Sequence, residues 1–157
     1  MKKLLSAAIA GKLQLEHRVV MAPATRMRTE PGGVPGQLMT EYYRQRASQG
    51  GLLIAEATAV SPYANAYQDA PGIFTDQQQA GWQRLTEAVH ARGSQIILQL
   101  WHPGRQSLPE LSGGQQPVGP SALTARETYG VVRNEQGGQA IPTAASTGNR
   151  RNSATDN

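Results

Sequence analysis

Three apolar runs, Arg18–Pro23, Leu52–Ala57 and Gln95–Trp101, alternate with two segments of helical periodicity. This alternation constrains the fold more than any other feature of the chain. Continuous apolar runs mark strands covered on both faces, the situation of a parallel sheet flanked by helices. The order is β-α-β-α-β, so the crossovers are right-handed. All three strands then end on one rim, the rim at which parallel α/β proteins bind ligands. Three strands by themselves do not separate an open sheet from a barrel. No Gly-x-Gly-x-x-Gly follows the first run, which argues against a dinucleotide-binding Rossmann fold.

The punctuation between the runs places the helices. Pro31-Gly32-Gly33 and Pro35-Gly36 lead into a helix expected over Gln37–Gln49, with Leu38, Tyr42 and Ala47 near one face, flanked by Met39 and Tyr43. Gly50-Gly51 is the expected stop. Thr75-Asp76-Gln77-Gln78 reads as a capping box that opens a second helix, about Asp76–Arg92, with Trp82, Leu85, Ala88 and Val89 as its stripe and Gly93 as its end. Between them, the loop Thr58–Phe74 is long enough to suggest a functional role or disorder. Leu13 and Leu15 alternate with polar neighbours and suit a small hairpin ahead of the first strand. Beyond Arg105, Pro, Gly, Ser and Gln dominate to Ala122. Tyr129–Arg133 and Gln139–Pro142, on either side of Gln136-Gly137-Gly138, suit a β-hairpin. From Ala144 to Asn157 there is no large apolar residue, the composition of a disordered tail.

Composition narrows the chemistry. The chain has 157 residues and no cysteine, which removes disulfides, thiol nucleophiles and cysteine-ligated zinc, and suits a reducing compartment. The net charge of +4 comes without a basic stripe or a recognition motif, so nucleic acid is not an expected partner. Met1–Ala10 has only a short apolar run, at the lower limit for a signal peptide, and charged residues follow at once. No run approaches the ~20 apolar residues of a membrane span. A cytoplasmic location is the expectation.

The three strand ends carry the candidate site. They read Met21-Ala22-Pro23-Ala24-Thr25, Glu56-Ala57-Thr58 and Gln99-Leu100-Trp101-His102. Ala22, Ala24 and Ala57 are small enough to let a flat ligand approach the backbone. Thr25 and Gln99 offer a hydroxyl and a primary amide to a polar ring edge. Thr25 also reads as a simple turn residue, Trp101 as core, and His102, before Pro-Gly, as a structural hydrogen-bonder. Gln99 alternates with Leu98 and Leu100 and so points away from them. Glu56, in an apolar strand, needs a partner such as an arginine if it is buried. No metal-ligand cluster, Ser-His-Asp spacing or phosphate loop is present.

These residues carry a family resemblance. Arg18-Val-Val-Met-Ala-Pro-Ala-Thr-Arg26, Glu41-Tyr42-Tyr43-Arg-Gln-Arg46-Ala47, Ile54-Ala-Glu-Ala-Thr58, Ala70-Pro-Gly72 and Gln99-Leu-Trp-His-Pro-Gly-Arg105 occur in order. From about Leu13 to about Thr143 the chain resembles the N-terminal part of the old yellow enzymes, FMN-dependent ene-reductases of the N-ethylmaleimide reductase type. The resemblance implies an α/β fold: the N-terminal part of a TIM (β/α)8 barrel, about three βα units and a lid hairpin near Tyr129–Ile141, with the barrel incomplete. It implies FMN held by Pro23, Ala24, Thr25, Ala57 and Gln99. Thr25 would bond the flavin carbonyl near the reactive nitrogen, and Gln99 the pyrimidine edge. Tyr67 and Trp101 would shape the substrate pocket. The implied reaction takes hydride from NAD(P)H and reduces activated C=C bonds of enones, maleimides or nitro compounds.

The resemblance also implies what lies outside these residues. The His with His or Asn pair that polarises the substrate, the tyrosine proton donor and the phosphate-binding arginine belong to later strands. The expectation is therefore a partial FMN-binding domain over 1–143, followed by a disordered or aberrant tail over 144–157 from a truncated or frame-shifted reading frame. Such a half-barrel would be catalytically incompetent: it would need a partner chain or have no activity. Its open sheet edges would favour self-association.

Overall fold

The computed structural model describes residues 3–123 and the backbone of 129–134, 137–142 and 147–148. The chain divides into two compact units, residues 1–60 with 69–101 and residues 61–68 with 102–157.

The first unit is built on three parallel strands. A hairpin of β1 (Ala8–Ala10) and β2 (Leu13–Leu15) comes first, in the register Ala8 to Leu15, as the alternation at Leu13 and Leu15 anticipates. Next come β3 (Val20–Met21), α1 (Gln37–Arg46), β4 (Leu52–Ala59), α2 (Asp76–His90) and β5 (Gln95–Trp101). The sheet order is β3-β4-β5, parallel throughout, so each helix is a crossover between neighbouring strands. The core forms where Met39 and Tyr43 of α1 and Trp82, Leu85 and Val89 of α2 meet Leu53 and Ala55 of β4. Ile96 and Leu98 of β5 pack against that core, whereas Ile97, between them, is 44% exposed. One face of the sheet is thus covered by the two helices.

The helices differ from expectation in instructive places. The capping box of α2 forms in full: Thr75 accepts from the Gln78 amide, and the Gln78 side chain accepts from the Thr75 amide. Buried Gln78 also donates to the Gly32 carbonyl at 2.9 Å, so the cap of α2 is tied to the loop ahead of α1. The face of α1, however, is rotated by one residue from the one read in the sequence. Met39 and Tyr43 are fully buried, while Leu38 is 62% exposed. Leu38-Met39 and Tyr42-Tyr43 give two adjacent apolar stripes, and the sheet selects one. The helix also stops at Arg46, not at Gln49. Ala47 turns extended (φ −71°, ψ 132°) and is drawn into the core before Gly50 is reached.

The second unit contains a 3-10 turn at Pro109–Leu111, β6 (Val118–Gly119), the hairpin β7 (Tyr129–Asn134) with β8 (Gly137–Pro142), and β9 (Thr147–Gly148). The hairpin is where the sequence places it, but Gly137 and Gly138 are ladder residues paired with Asn134 and Arg133, not turn residues. A short connection suits a tight hairpin better than a three-residue one built on both glycines. Within the stretch expected to be disordered, Thr147–Gly148 pairs in parallel with Val118–Gly119. A two-residue backbone ladder needs no apolar side chain, so composition does not signal it. The rest of 144–157 lies outside the described residues. Around the 3-10 turn, the Ser107 hydroxyl donates to the Asn65 carbonyl and lies 3.1 Å from the Ser112 hydroxyl, and Leu108 is buried.

Candidate functional site

The rim formed by the C-terminal ends of β3, β4 and β5 is organised by a bulge. Leu52, Leu53 and Ile54 pair with Gln95, Ile96 and Ile97, but the next partners are Ala57 and Gln99. β4 therefore spends one residue more than β5 between these points. A bulge of this kind re-aims the residues that follow it. Ala55 and Glu56 in succession meet the helix side: Ala55 lies in the core, and Glu56 is bonded to Tyr43 of α1. Ala57 then returns to the other face, directly opposite Gln99.

Two sequence-predicted residues are thus brought together, since register partners in a parallel ladder share a face. Gln99 alternates with core-packed Leu98, so its amide is on the helix-free side, where it is exposed rather than enclosed. Pro23 and Thr25 are half-buried and Ala24 is exposed, in the extended segment after β3.

Thr25 is tied to Ala57 through their chain neighbours. The Arg26 amide donates to Glu56 Oε2 at 3.1 Å, and the Arg26 guanidinium donates to Glu56 Oε1 in an ion pair. The Tyr43 hydroxyl donates to the same Oε1 at 3.1 Å and accepts from the Glu56 amide at 2.8 Å. Thr58 Oγ1 donates to the Glu56 carbonyl at 2.9 Å. Glu56 is fully buried, and side chains satisfy its backbone N–H and C=O where the bulge interrupts the ladder. Burial, followed by the charge of Glu56, raises the Tyr43 phenol well above its ordinary value of 10.0.

The cationic side of this network is layered. The Arg26 guanidinium carbon lies 3.4 Å from the Tyr42 ring centroid and 4.7 Å from that of Tyr43, and Arg46 lies 3.5 Å from Tyr42. Two guanidiniums at such distances cannot share one ring face, so Arg26 and Arg46 sandwich Tyr42. Arg26, Arg28, Leu38 and Tyr42 line a groove of about 430 Å³.

The partner expected for Glu56 is therefore Arg26. The Tyr43 hydroxyl is a second partner, beyond the arginine that the sequence leads one to expect. Its signal is a tyrosine, rather than a phenylalanine, on a buried helix face opposite a strand glutamate. Trp101 ends β5 opposite Ala59 and is half-buried. Tyr67 lies in the second unit, half-buried, where its amide donates to Asn65 Oδ1 at 3.1 Å. His102 Nδ1 accepts from the Gly104 amide at 3.0 Å, a local turn contact that fits the structural reading of this residue.

The rim offers a hydroxyl in the segment after β3, a primary amide on the helix-free face of β5, and small residues between them. That set suits a flat ring with a polar edge, approached from the side the helices leave open. Among the described residues no cluster of His, Asp and Glu is able to hold a metal ion, and no helix is long and apolar enough to cross a membrane.

Comparison with known proteins gives consistent matches. The profile of the NADH:flavin oxidoreductase / NADH oxidase family matches residues 8–141. Flavin oxidoreductase hxnT of Emericella nidulans is 50% identical over 117 residues, which is 72% of this chain and 30% of that protein. 12-Oxophytodienoate reductase 1 of Oryza sativa subsp. japonica is 50% identical over 109 residues, 69% of this chain and 28% of its own length. The solved structure of morphinone reductase superposes with a TM-score of 0.86 at 50% identity, covering 92% of this chain and 39% of that one. The old yellow enzyme homologue from Zymomonas mobilis gives 0.83 at 39% identity, covering 95% and 40%. The chain spans about a third of the curated relatives it matches.

Proposed function

The chain belongs to the NADH:flavin oxidoreductase / NADH oxidase family, within the old yellow enzymes, and carries the first part of their TIM barrel; from this premise we propose that its rim is one side of an FMN site. The observation that carries the proposal is the register of Ala57 against Gln99, next to the segment bearing Thr25, on the face free of helices. In this reading Pro23, Ala24 and Ala57 leave room for the ring. The Gln99 amide, which both donates and accepts, binds its pyrimidine edge, and the Thr25 hydroxyl donates to a ring carbonyl. FMN when bound supplies hydride transfer from NAD(P)H to an alkene conjugated to a carbonyl or nitro group. Trp101, at the end of β5, borders the substrate space in this reading. Substrate polarisation and proton donation fall to residues outside this chain's described segments, supplied by the rest of a barrel.

A second reading is a non-catalytic half-barrel that works with a partner chain. It is favoured by the exposure of Val19, Val20, Ile97 and Leu100, from 40% to 64%, on the sheet's outer strands and the approach to them. One experiment separates the readings: incubate the 157-residue chain with excess FMN, desalt, and record the visible spectrum. A retained flavin band supports a rim that assembles in this chain. A colourless product refutes the FMN-site proposal for the chain alone and leaves the partner-dependent half-barrel.

A further inference from the structure

Glu56 has an arrangement that a folding role by itself does not require. Its carboxylate receives three donors, and one of them is the backbone amide of Arg26 rather than a side chain. That amide belongs to the peptide joining Thr25 to Arg26. Holding it fixes the peptide plane that follows Thr25 and so restrains where its Cα, and the side chain that Cα carries, is presented. The other end of the network is equally specific. The β4 bulge releases the Glu56 amide from the ladder, and the Tyr43 hydroxyl takes it up at 2.8 Å while donating to Oε1. One carboxylate thus couples the Thr25 peptide to the bulge that turns Ala57 toward Gln99.

We infer that Glu56, braced by Tyr43, is a positioning residue that sets the Thr25 hydroxyl against the Ala57–Gln99 pair. It touches neither ligand nor reacting atoms and acts through Thr25. The inference rests on the flavin-site reading of this rim. A glutamine at this position exposes the mechanism. The carboxylate meets donors at both oxygens, so an amide NH2, however it is turned, faces a donor: the Arg26 amide, or the Arg26 guanidinium and the Tyr43 hydroxyl. The volume and burial are kept, and the aim of the peptide is lost.

The test has two arms on the full 157-residue chain. The first reads the ligand-free protein by amide hydrogen exchange. Glu56→Gln is expected to speed exchange at Arg26 about tenfold or more while Leu53 and Leu85 keep their protection. Unchanged protection at Arg26 overturns the inference. Should Glu56→Gln loosen the whole unit, Tyr43→Phe, which keeps the ring and the ion pair, is read for the loss at Arg26 in excess of the loss shared by Leu53 and Leu85, and that excess is expected to be about tenfold. Equal loss at Arg26, Leu53 and Leu85 in both variants overturns the inference in favour of a fold-wide role.

The second arm reads FMN affinity by flavin fluorescence in a double-mutant cycle. Glu56→Gln is expected to weaken binding about tenfold, or ~1.4 kcal/mol. In a Thr25→Ala background the same change should cost less than about twofold, because the contact it aims is gone. An equal loss in both backgrounds overturns the inference. Arg44→Ala, at an exposed residue paired with Glu41, is the control and leaves both readouts unchanged. If the wild-type chain takes up no FMN, the flavin reading fails, and the exchange arm decides on its own whether Glu56 fixes the Thr25 peptide.

Discussion

Replacing Tyr43 with phenylalanine isolates the contribution of one buried oxygen atom. The ring is fully buried between α1 and β4, and phenylalanine fills the same space, so cavity terms stay small. Two bonds vanish. The Glu56 amide loses its acceptor at 2.8 Å, and Glu56 Oε1 loses a donor at 3.1 Å. An orphaned buried N–H costs about 1–3 kcal/mol, and a hydrogen bond to a charged group contributes about 1.5–3 kcal/mol. The ion pair with Arg26 still neutralises the carboxylate, so the second figure is taken at its lower end. The net loss is then about 3 kcal/mol, on the order of a 150-fold change in the unfolding equilibrium. With a urea dependence of ~1.5 kcal/mol per molar, the midpoint falls by about 2 M.

Trp82 reports the transition by fluorescence, being 4% exposed and bonded through Nε1 to the Gly72 carbonyl at 2.9 Å. The phenol adds a pH signature of definite sign. Its folded-state pKa is raised above 10.0, so the folded state favours the protonated form. The stabilisation is whole below about pH 10 and declines as the pH rises above that value toward the higher folded pKa. The gap between wild type and Tyr43→Phe should therefore be constant from pH 7 to 9 and narrow above 10. A midpoint shift under about 0.5 M, or a gap that widens with alkalinity, refutes the role assigned to the hydroxyl.

Two further outcomes follow from the same structure. Gly81 sits in α2 where an added Cβ would lie 2.6 Å from the Pro35 carbonyl oxygen, a backbone atom that cannot swing away. Gly81→Ala should lower stability by about 2 kcal/mol in urea unfolding although alanine is the better helix former; a stabilised variant would show that the helix shifts freely on the loop. Ile97 is exposed on the face of β5 that no helix covers, opposite Ile54. If the open sheet self-associates, Ile97→Lys should move sedimentation of a concentrated sample toward monomer, and an unchanged distribution would place the association elsewhere.

The elements most legible in the sequence are those whose signal is local. β5 runs over Gln95–Trp101 as its apolar run predicts, and the Thr75–Gln78 box opens α2 where it should. Both depend on neighbours within a few residues. The elements that depart from their sequence signal depend on distant partners. β4 continues to Ala59 because Thr58 hides its hydroxyl on the Glu56 carbonyl and becomes fully buried, which a hydropathy run ending at Ala57 does not show. β3 shrinks to Val20–Met21 because only those two residues reach the ladder opposite Leu52 and Leu53. The rotation of α1 onto Met39 and Tyr43 is decided by where the sheet lies, not by the helix's own periodicity.

The candidate site divides along the same line. Thr25, Ala57 and Gln99 are legible because parallel strands must end on one rim, and the polar or small residue at each end is visible in the chain itself. What holds them is less legible, since it arises from a mismatch between two strands. β4 uses three steps from Ile54 to Ala57 where β5 uses two from Ile97 to Gln99, and no property of either strand alone announces that slip. Once the slip exists, its consequences are forced. It turns Glu56 toward α1, strips the ladder from its amide, and leaves a buried carboxylate that demands donors. Arg26 and Tyr43 meet that demand, and Arg26 can do so with its backbone because it directly follows Thr25. The site's frame is thus a response to one extra residue in β4. Deleting Ala55 would therefore move Glu56 out of phase with α1 and uncouple Thr25 from Ala57, even with every proposed ligand-binding side chain still in place.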